Sequence, residues 1–156
     1  MKVGQRSEVV QAPGARILLV VAPYYQNVTA MMEAGAEAAA AVVGAKLEKI
    51  TVPGAFEIPG AIATAARTGT YEGYVALGCV VRGETSHYDY VCGESARGLM
   101  DLSIREGLSI GYGILTVNTL AQAEERADPQ RGDKGGESVK AAAAMIALKR
   151  RFAETA

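Results

Sequence analysis

Short apolar runs alternate with longer amphipathic stretches along this chain, and the alternation predicts its elements. Arg16 to Ala22, Lys46 to Val52, Tyr74 to Val81 and Ser109 to Leu115 are the runs. Their length and branched residues fit strands buried in a parallel sheet. Between them, alanine-rich Val28 to Val43 reads as a helix closed by Gly44 as C-cap. Pro59 fits the first turn of a second helix ending near Gly69, where a missing N–H costs nothing. Tyr88 to Glu106 places Val91, Leu99, Leu102 and Ile104 at roughly helical period. Thr119-Leu120-Ala121-Gln122 resembles a capping box opening a short helix to Arg126. After a polar, Gly-rich break from Asp128 to Gly136, a last helix runs from Glu137 to Phe152. Val139, Ala143, Ile146 and Arg150 lie at near-helical spacing, and Lys149, Arg150 and Arg151 suit the negative end of its dipole.

The element order is therefore βαβαβαβαα. Repeated β-then-α units imply right-handed crossovers, giving an α/β three-layer sandwich: a four-stranded parallel sheet flanked by helices on both faces, flavodoxin-like. Residues 1–14 hold only Val9-Val10 as an apolar pair and read as an N-terminal arm, suited to adding a strand to a neighbour's sheet. Residues 15–156 form one domain, since 156 residues provide one hydrophobic core.

Composition narrows the functional classes. A formal charge of −1 with both signs interspersed leaves no electrostatic footprint for nucleic acid or an anionic membrane. No apolar stretch approaches the ~20 residues a membrane helix needs, so the expected location is cytoplasmic. Cys79 and Cys92 form no CxxC pair and have no histidine nearby in a zinc-ligand spacing, so no metal is expected. Both thiols read as reduced, buried and inert.

Candidate chemistry concentrates behind the strands, where open parallel sheets bind ligands. The third strand leads into Arg82-Gly83-Glu84-Thr85-Ser86-His87, which carries the only histidine in the chain. An imidazole ordinarily titrates near pKa ~6.5 and suits proton transfer at neutral pH. Arg82 and Glu84 are both candidates to orient it. The bland reading makes His87 an ordinary loop residue. After the second strand, Pro53-Gly54-Ala55-Phe56-Glu57 leads into a helix start, whose free N–H groups suit an oxygen-rich ligand, with Glu57 accepting from hydroxyls. A rigid turn with Phe56 as core filler is the plainer account. Tyr24 and Tyr25 follow the first strand and offer faces for a planar heterocycle. Arg126 and Lys134 suit phosphate, although such charges often mark a solvated helix end. Tyr112, within the fourth strand, reads first as core.

Four segments, in this order, carry a resemblance: Val52-Pro53-Gly54-Ala55-Phe56-Glu57-Ile58-Pro59, Leu77-Gly78-Cys79-Val80-Val81-Arg82-Gly83-Glu84-Thr85-Ser86-His87, Gly113-Ile114-Leu115-Thr116, and Glu125-Arg126-Ala127 followed by Asp133-Lys134-Gly135-Gly136. With them the chain resembles the 6,7-dimethyl-8-ribityllumazine synthase family from Arg16 to Leu148. The resemblance implies condensation of 5-amino-6-(D-ribitylamino)uracil with 3,4-dihydroxy-2-butanone 4-phosphate, the penultimate step of riboflavin biosynthesis, with neither metal nor organic cofactor. It implies that Tyr24 stacks on the uracil ring and that Ala55, Phe56 and Glu57 meet the pyrimidine and ribityl chain. Val80 and Val81 would line the ring pocket, Gly83, Glu84 and Thr85 would flank the phosphate, and His87 would transfer protons. Tyr112, Arg126 and Lys134 would reach a site whose other residues belong to the next protomer, with Arg126 holding the phosphate.

Homo-oligomers follow from such shared sites, with a pentamer as the expected minimum and riboflavin synthase as a candidate partner. The stretch Asp128 to Asp133 lacks the small-residue pattern associated with icosahedral members, which leaves decamer and capsid open beside the pentamer. Tyr24 stands where the family commonly has phenylalanine or tryptophan. A non-catalytic flavin- or lumazine-binding protein, or a shell-forming one, is the alternative on the same fold. The intact His87, Arg126 and Lys134 argue against simple ring binding.

Overall fold

The computed structural model describes residues 8–155. Four strands, β1 (Arg16–Val21), β2 (Lys46–Thr51), β3 (Gly73–Val81) and β4 (Ser109–Val117), form one parallel sheet in the order β2-β1-β3-β4. The helices are α1 (Gln26–Val43), α2 (Ile58–Ala66), α3 (His87–Arg105), α4 (Leu120–Ala127) and α5 (Lys134–Glu154), with a 3₁₀ turn at Ala55–Glu57 ahead of α2. This is the expected three-layer α/β architecture.

Alternation along β1 builds both cores at once, because successive side chains point to opposite faces. Ile17, Leu19 and Val21 join one apolar cluster with residues of α1, α4 and α5, whereas Leu18, Val20 and Ala22 join another with α2 and α3. All six are at most 2% exposed. Burying each larger side chain is worth about 1.5–3 kcal/mol, so this central strand anchors the fold from both sides. The edge strand β2 is largely exposed, and charged residues mark it: Lys46, Glu48 and Lys49.

Helix α1 starts at Gln26 rather than Val28 and α2 ends at Ala66 rather than near Gly69, and two further boundaries differ from the sequence expectation for reasons that the packing shows. Strand β4 runs on to Val117 because Val80 and Val81 pair with Thr116 and Val117, extending the ladder to the end of β3. The last helix starts at Lys134 rather than Glu137, so Gly135 and Gly136 belong to its first turn. Glycine disfavours helix interiors, which made these two residues look like part of the break. Tertiary packing requires them: a Cβ on Gly135 would collide with the Met32 backbone of α1. Asp133, at φ 48°, caps this start, its carboxylate accepting from the Gly136 N–H at 3.3 Å.

Of the expected N-terminal arm, residues 1–7 lie outside the described residues. Val9 and Val10 are exposed. The next residues lie against the end of α1: the Ala12 N–H donates to Val43 O at 2.9 Å and the Gly14 N–H to Gly44 O at 2.8 Å.

Candidate active site

In the order 2-1-3-4 the chain leaves β1 in one direction and returns past it to β3, so the sheet's switch point lies at the carboxyl ends of β1 and β3. Loops diverge there and leave a crevice. A cleft of about 740 Å³ occupies that position, lined by Tyr24, Tyr25, Pro53, Gly54, Ala55, Phe56, Glu57, Cys79, Val80, Val81, His87, Tyr90 and Val91. Each wall has a local cause. Pro23 ends β1 and exposes Tyr24, whose ring meets Tyr25 edge to face at 5.0 Å. The 3₁₀ turn buries Ala55 while Phe56 and Glu57 remain exposed. Its first N–H groups, at Ala55 and Phe56, have no acceptor within the turn itself, leaving donors at the cleft. Strand β3 turns half-buried only at Val80 and Val81, where it forms the floor.

Four of the chain's nine aromatic rings, those of Tyr24, Tyr25, Phe56 and Tyr90, line this one cleft. Tyr24, Phe56 and Tyr90 are 76%, 57% and 68% exposed, a cost in unburied apolar surface that a flat ligand would relieve. Phe56 is therefore not core filler.

His87 is the first residue of α3 and exposed, with its backbone N–H donating to Thr85 Oγ1 at 3.4 Å. Gly83, Glu84 and Thr85 form the exposed loop beside it. Arg82 does not hydrogen-bond to the imidazole. It donates to Asn118 Oδ1 at 3.1 Å, approaches Asp89 Oδ1 at 3.7 Å and lies 4.3 Å from the centre of the Tyr88 ring. Burial pushes the Cys79 thiol up to about 11 and raises that of Cys92, away from the reactive thiolate. Both cysteines are free, Cys79 buried as expected and Cys92 only half-buried. Burial likewise raises the Tyr25 phenol, helped by Cys79 and Tyr24. No cluster of three or more potential metal ligands occurs among the described residues.

The structure does not bring Tyr112, Arg126 or Lys134 into this cleft. Tyr112 lies on β4, 48% exposed, which corrects its reading as core: its ring stands off the sheet face away from α5, where α3 packs on β4 less closely and leaves it partly uncovered. Burial, with Cys92 and Tyr88 nearby, raises its phenol. Arg126 lies on α4 and donates to Gln122 O at 3.1 Å. Lys134 opens α5, where the positive end of the helix dipole disfavours a cation. Sequence reasoning missed Tyr90 and Val91 as lining residues. The helical period was the available signal, since it puts Tyr90 and Val91 one turn into α3 beside His87.

An aromatic-walled cleft at the switch point of a parallel sheet, with a carboxylate and an imidazole on its rim, defines a flavodoxin-like protein built to act on a small planar ligand. The chain belongs to the 6,7-dimethyl-8-ribityllumazine synthase family, whose model matches residues 14–150. A protein of that name from Novosphingobium aromaticivorans is 54% identical over 138 residues, covering 88% of this chain and 99% of the relative. Its namesake from Erythrobacter litoralis is 53% identical over 138 residues, 88% and 98% of the two chains. A third, from Methylocella silvestris, is 54% identical over 145 residues, 90% and 88%. The family's enzymes are transferases of riboflavin biosynthesis. Among the described residues no helix is long and apolar enough to cross a membrane.

Proposed function

We propose that this chain condenses 5-amino-6-(D-ribitylamino)uracil with 3,4-dihydroxy-2-butanone 4-phosphate to 6,7-dimethyl-8-ribityllumazine, releasing phosphate and water, in the cleft between Tyr24, Phe56 and His87. The observation that carries this reading is the convergence on one cleft of exposed aromatic faces, the Glu57 carboxylate and the chain's only imidazole. Tyr24 and Phe56 take the faces of the pyrimidine. Ala55 supplies backbone contact, and Glu57 accepts from ribityl hydroxyls. Val80 and Val81 exclude water beneath the ring. His87 moves protons as the ring amine and the ketone form an imine, as phosphate leaves and as the second ring closes. Holding both substrates in attack geometry supplies much of the acceleration, and proton transfer adds roughly 10²–10⁴-fold.

The phosphate needs a stronger anchor than Gly83, Glu84 and Thr85, and Glu84 adds a like charge. Arg126 and Lys134 supply it from a neighbouring subunit, with Tyr112 closing the ring pocket from the same side. Their position outside the chain's own cleft, and the unfavourable placement of Lys134 at a helix start, support a shared site. A homopentamer is then the minimum working unit, acting in the cytoplasm, with riboflavin synthase as a candidate downstream partner.

Mixed oligomers test the shared site. His87→Ala and Arg126→Ala damage different halves of it, so co-assembly at equal amounts restores about one intact site in four. Activity in the mixture no greater than the average of the two variants contradicts a site built across subunits.

A further inference from the structure

We propose that Arg82 is a positioning residue for His87, fixing the turn that carries the imidazole by holding it to the end of strand β4. The proposal rests on the role given to His87 above.

That turn has few other attachments. Helix α3 begins without a side-chain cap at Ser86, and the residues from Arg82 to His87 are all exposed. Nothing lies within 4 Å of where a Cβ on Gly83 would stand. Among the described residues the other hydrogen bonds of the turn are local, His87 N–H to Thr85 Oγ1 and the Asp89 and Tyr90 N–H groups to Ser86 O, and beyond them the Tyr88 hydroxyl reaches Thr116 of β4 and Cys92. The local bonds shape the turn, and Tyr88 ties the helix start behind the imidazole to the sheet.

Arg82 makes the attachment ahead of the imidazole. Its backbone N–H donates to Val117 O at 2.9 Å, which fixes the base of the side chain at the last pairing of β3 with β4. From there the guanidinium spans two elements. Nε donates to Asn118 Oδ1 at 3.1 Å, just past β4, while the other end faces Asp89 Oδ1 at 3.7 Å and the Tyr88 ring at 4.3 Å. Tyr88 and Asp89 directly follow His87, so their contacts set the first turn of α3 and the direction in which the imidazole leaves it. The Asn118 anchor is itself held, its N–H donating to Gln122 Oε1 of α4 at 2.8 Å. A planar guanidinium can donate sideways and stack at the same time; an ammonium cannot. The pair with Asp89 is half exposed and weak as an ion pair alone, so what Arg82 contributes is direction.

A group displaced by an ångström from attack geometry costs on the order of 10²-fold, so partial loss of this clamp lowers kcat of Arg82→Met roughly tenfold or more. KM for either substrate stays within about twofold, since Arg82 does not line the cleft. Arg82→Lys keeps the charge and recovers only a small part of the loss. The decisive comparison is the double variant. Acting through His87, Arg82→Met slows the His87→Ala enzyme no further. The single histidine gives an independent readout: its imidazole NMR signal, sharp in the parent protein, broadens or splits in Arg82→Met while assembly and thermal midpoint hold. Multiplying effects in the double variant, full recovery in Arg82→Lys, or an unchanged imidazole signal overturns the proposal while leaving the role of His87 standing. Unimpaired turnover in His87→Ala overturns both.

Discussion

At the residue scale, the proposed site divides into groups assigned to the ring, to the phosphate and to protons, and each assignment makes a separable kinetic claim. His87→Ala removes proton transfer but leaves both binding surfaces, so kcat falls by roughly 10²-fold or more while turnover stays above the protein-free reaction. Arg126→Ala removes a charge-assisted fork, so KM for the butanone phosphate rises by at least about tenfold, with KM for the ribitylaminouracil little changed. Steady-state kinetics with each substrate varied in turn checks both, and an unchanged KM for the phosphorylated ketone in Arg126→Ala contradicts its assignment. The residues around His87 were legible because chemistry-bearing side chains followed a strand in unbroken order. Tyr90 was legible only in part, because the helical period puts it one turn from His87 while its place in the cleft also depends on where helix α3 lies. Tyr112 was misjudged for a related reason. A strand's sequence does not show how far a helix covers each of its faces.

Elements show where tertiary packing overrides local preference. The capping box expected at Thr119 forms in half: the Thr119 hydroxyl accepts from the Gln122 N–H at 3.2 Å, while the Gln122 side chain accepts from the N–H of Asn118, one residue before the cap. The start of α5 was hidden, since Gly135-Gly136 reads as a break until α1 is placed against it. Close approach is the reason for glycine there, with Gly35 of α1 facing Asp133 and Gly136 in the same contact. Gly111 and Gly113 of β4 play the same part under Ser138 of α5. Gly135→Ala improves helix propensity by about 1 kcal/mol, yet it forces a methyl group into the Met32 backbone, which cannot rotate away. The net result is a loss of about 1–3 kcal/mol or more, read as a lower thermal midpoint. A rise in the midpoint contradicts the close packing of α1 on α5.

Across the whole molecule, the end of the sheet opposite the cleft is held by polar links between segments distant in sequence. Arg150 of α5 grips Glu72 through two hydrogen bonds, 2.9 and 2.7 Å, and donates to Pro13 O at 3.0 Å. At the β2 edge, Glu48 accepts from Arg16 at 2.6 Å and from the Tyr71 hydroxyl. The Arg150 hydrogen bonds hold the Glu72 carboxyl below its ordinary 4.5. Its stabilisation is therefore present above pH 4.5 and is lost as pH falls through the lowered folded-state value. Glu72→Gln costs about 0.2–1 kcal/mol at pH 7, small because the pair is partly exposed. The gap to the parent protein closes in acid. Denaturant midpoints at pH 7 and pH 3 measure it, and a gap that widens in acid contradicts the ion pair.

The sheet, its helices and most of the cleft lining behind β1, β2 and β3 were legible from one chain's sequence, with Tyr90 and the start of α5 as exceptions. The proposed part of Tyr112, Arg126 and Lys134 rests on the resemblance, because residues proposed to meet across subunits leave no spacing in a single chain. The central claim is that this cleft makes 6,7-dimethyl-8-ribityllumazine. The measurement that tests it most directly mixes purified protein with ribitylaminouracil and butanone phosphate and follows lumazine absorbance against a protein-free control. Formation well above the spontaneous rate, saturating in both substrates, is the expected result. A folded, oligomeric protein that matches the protein-free control contradicts it and leaves a binding or shell role for the same fold.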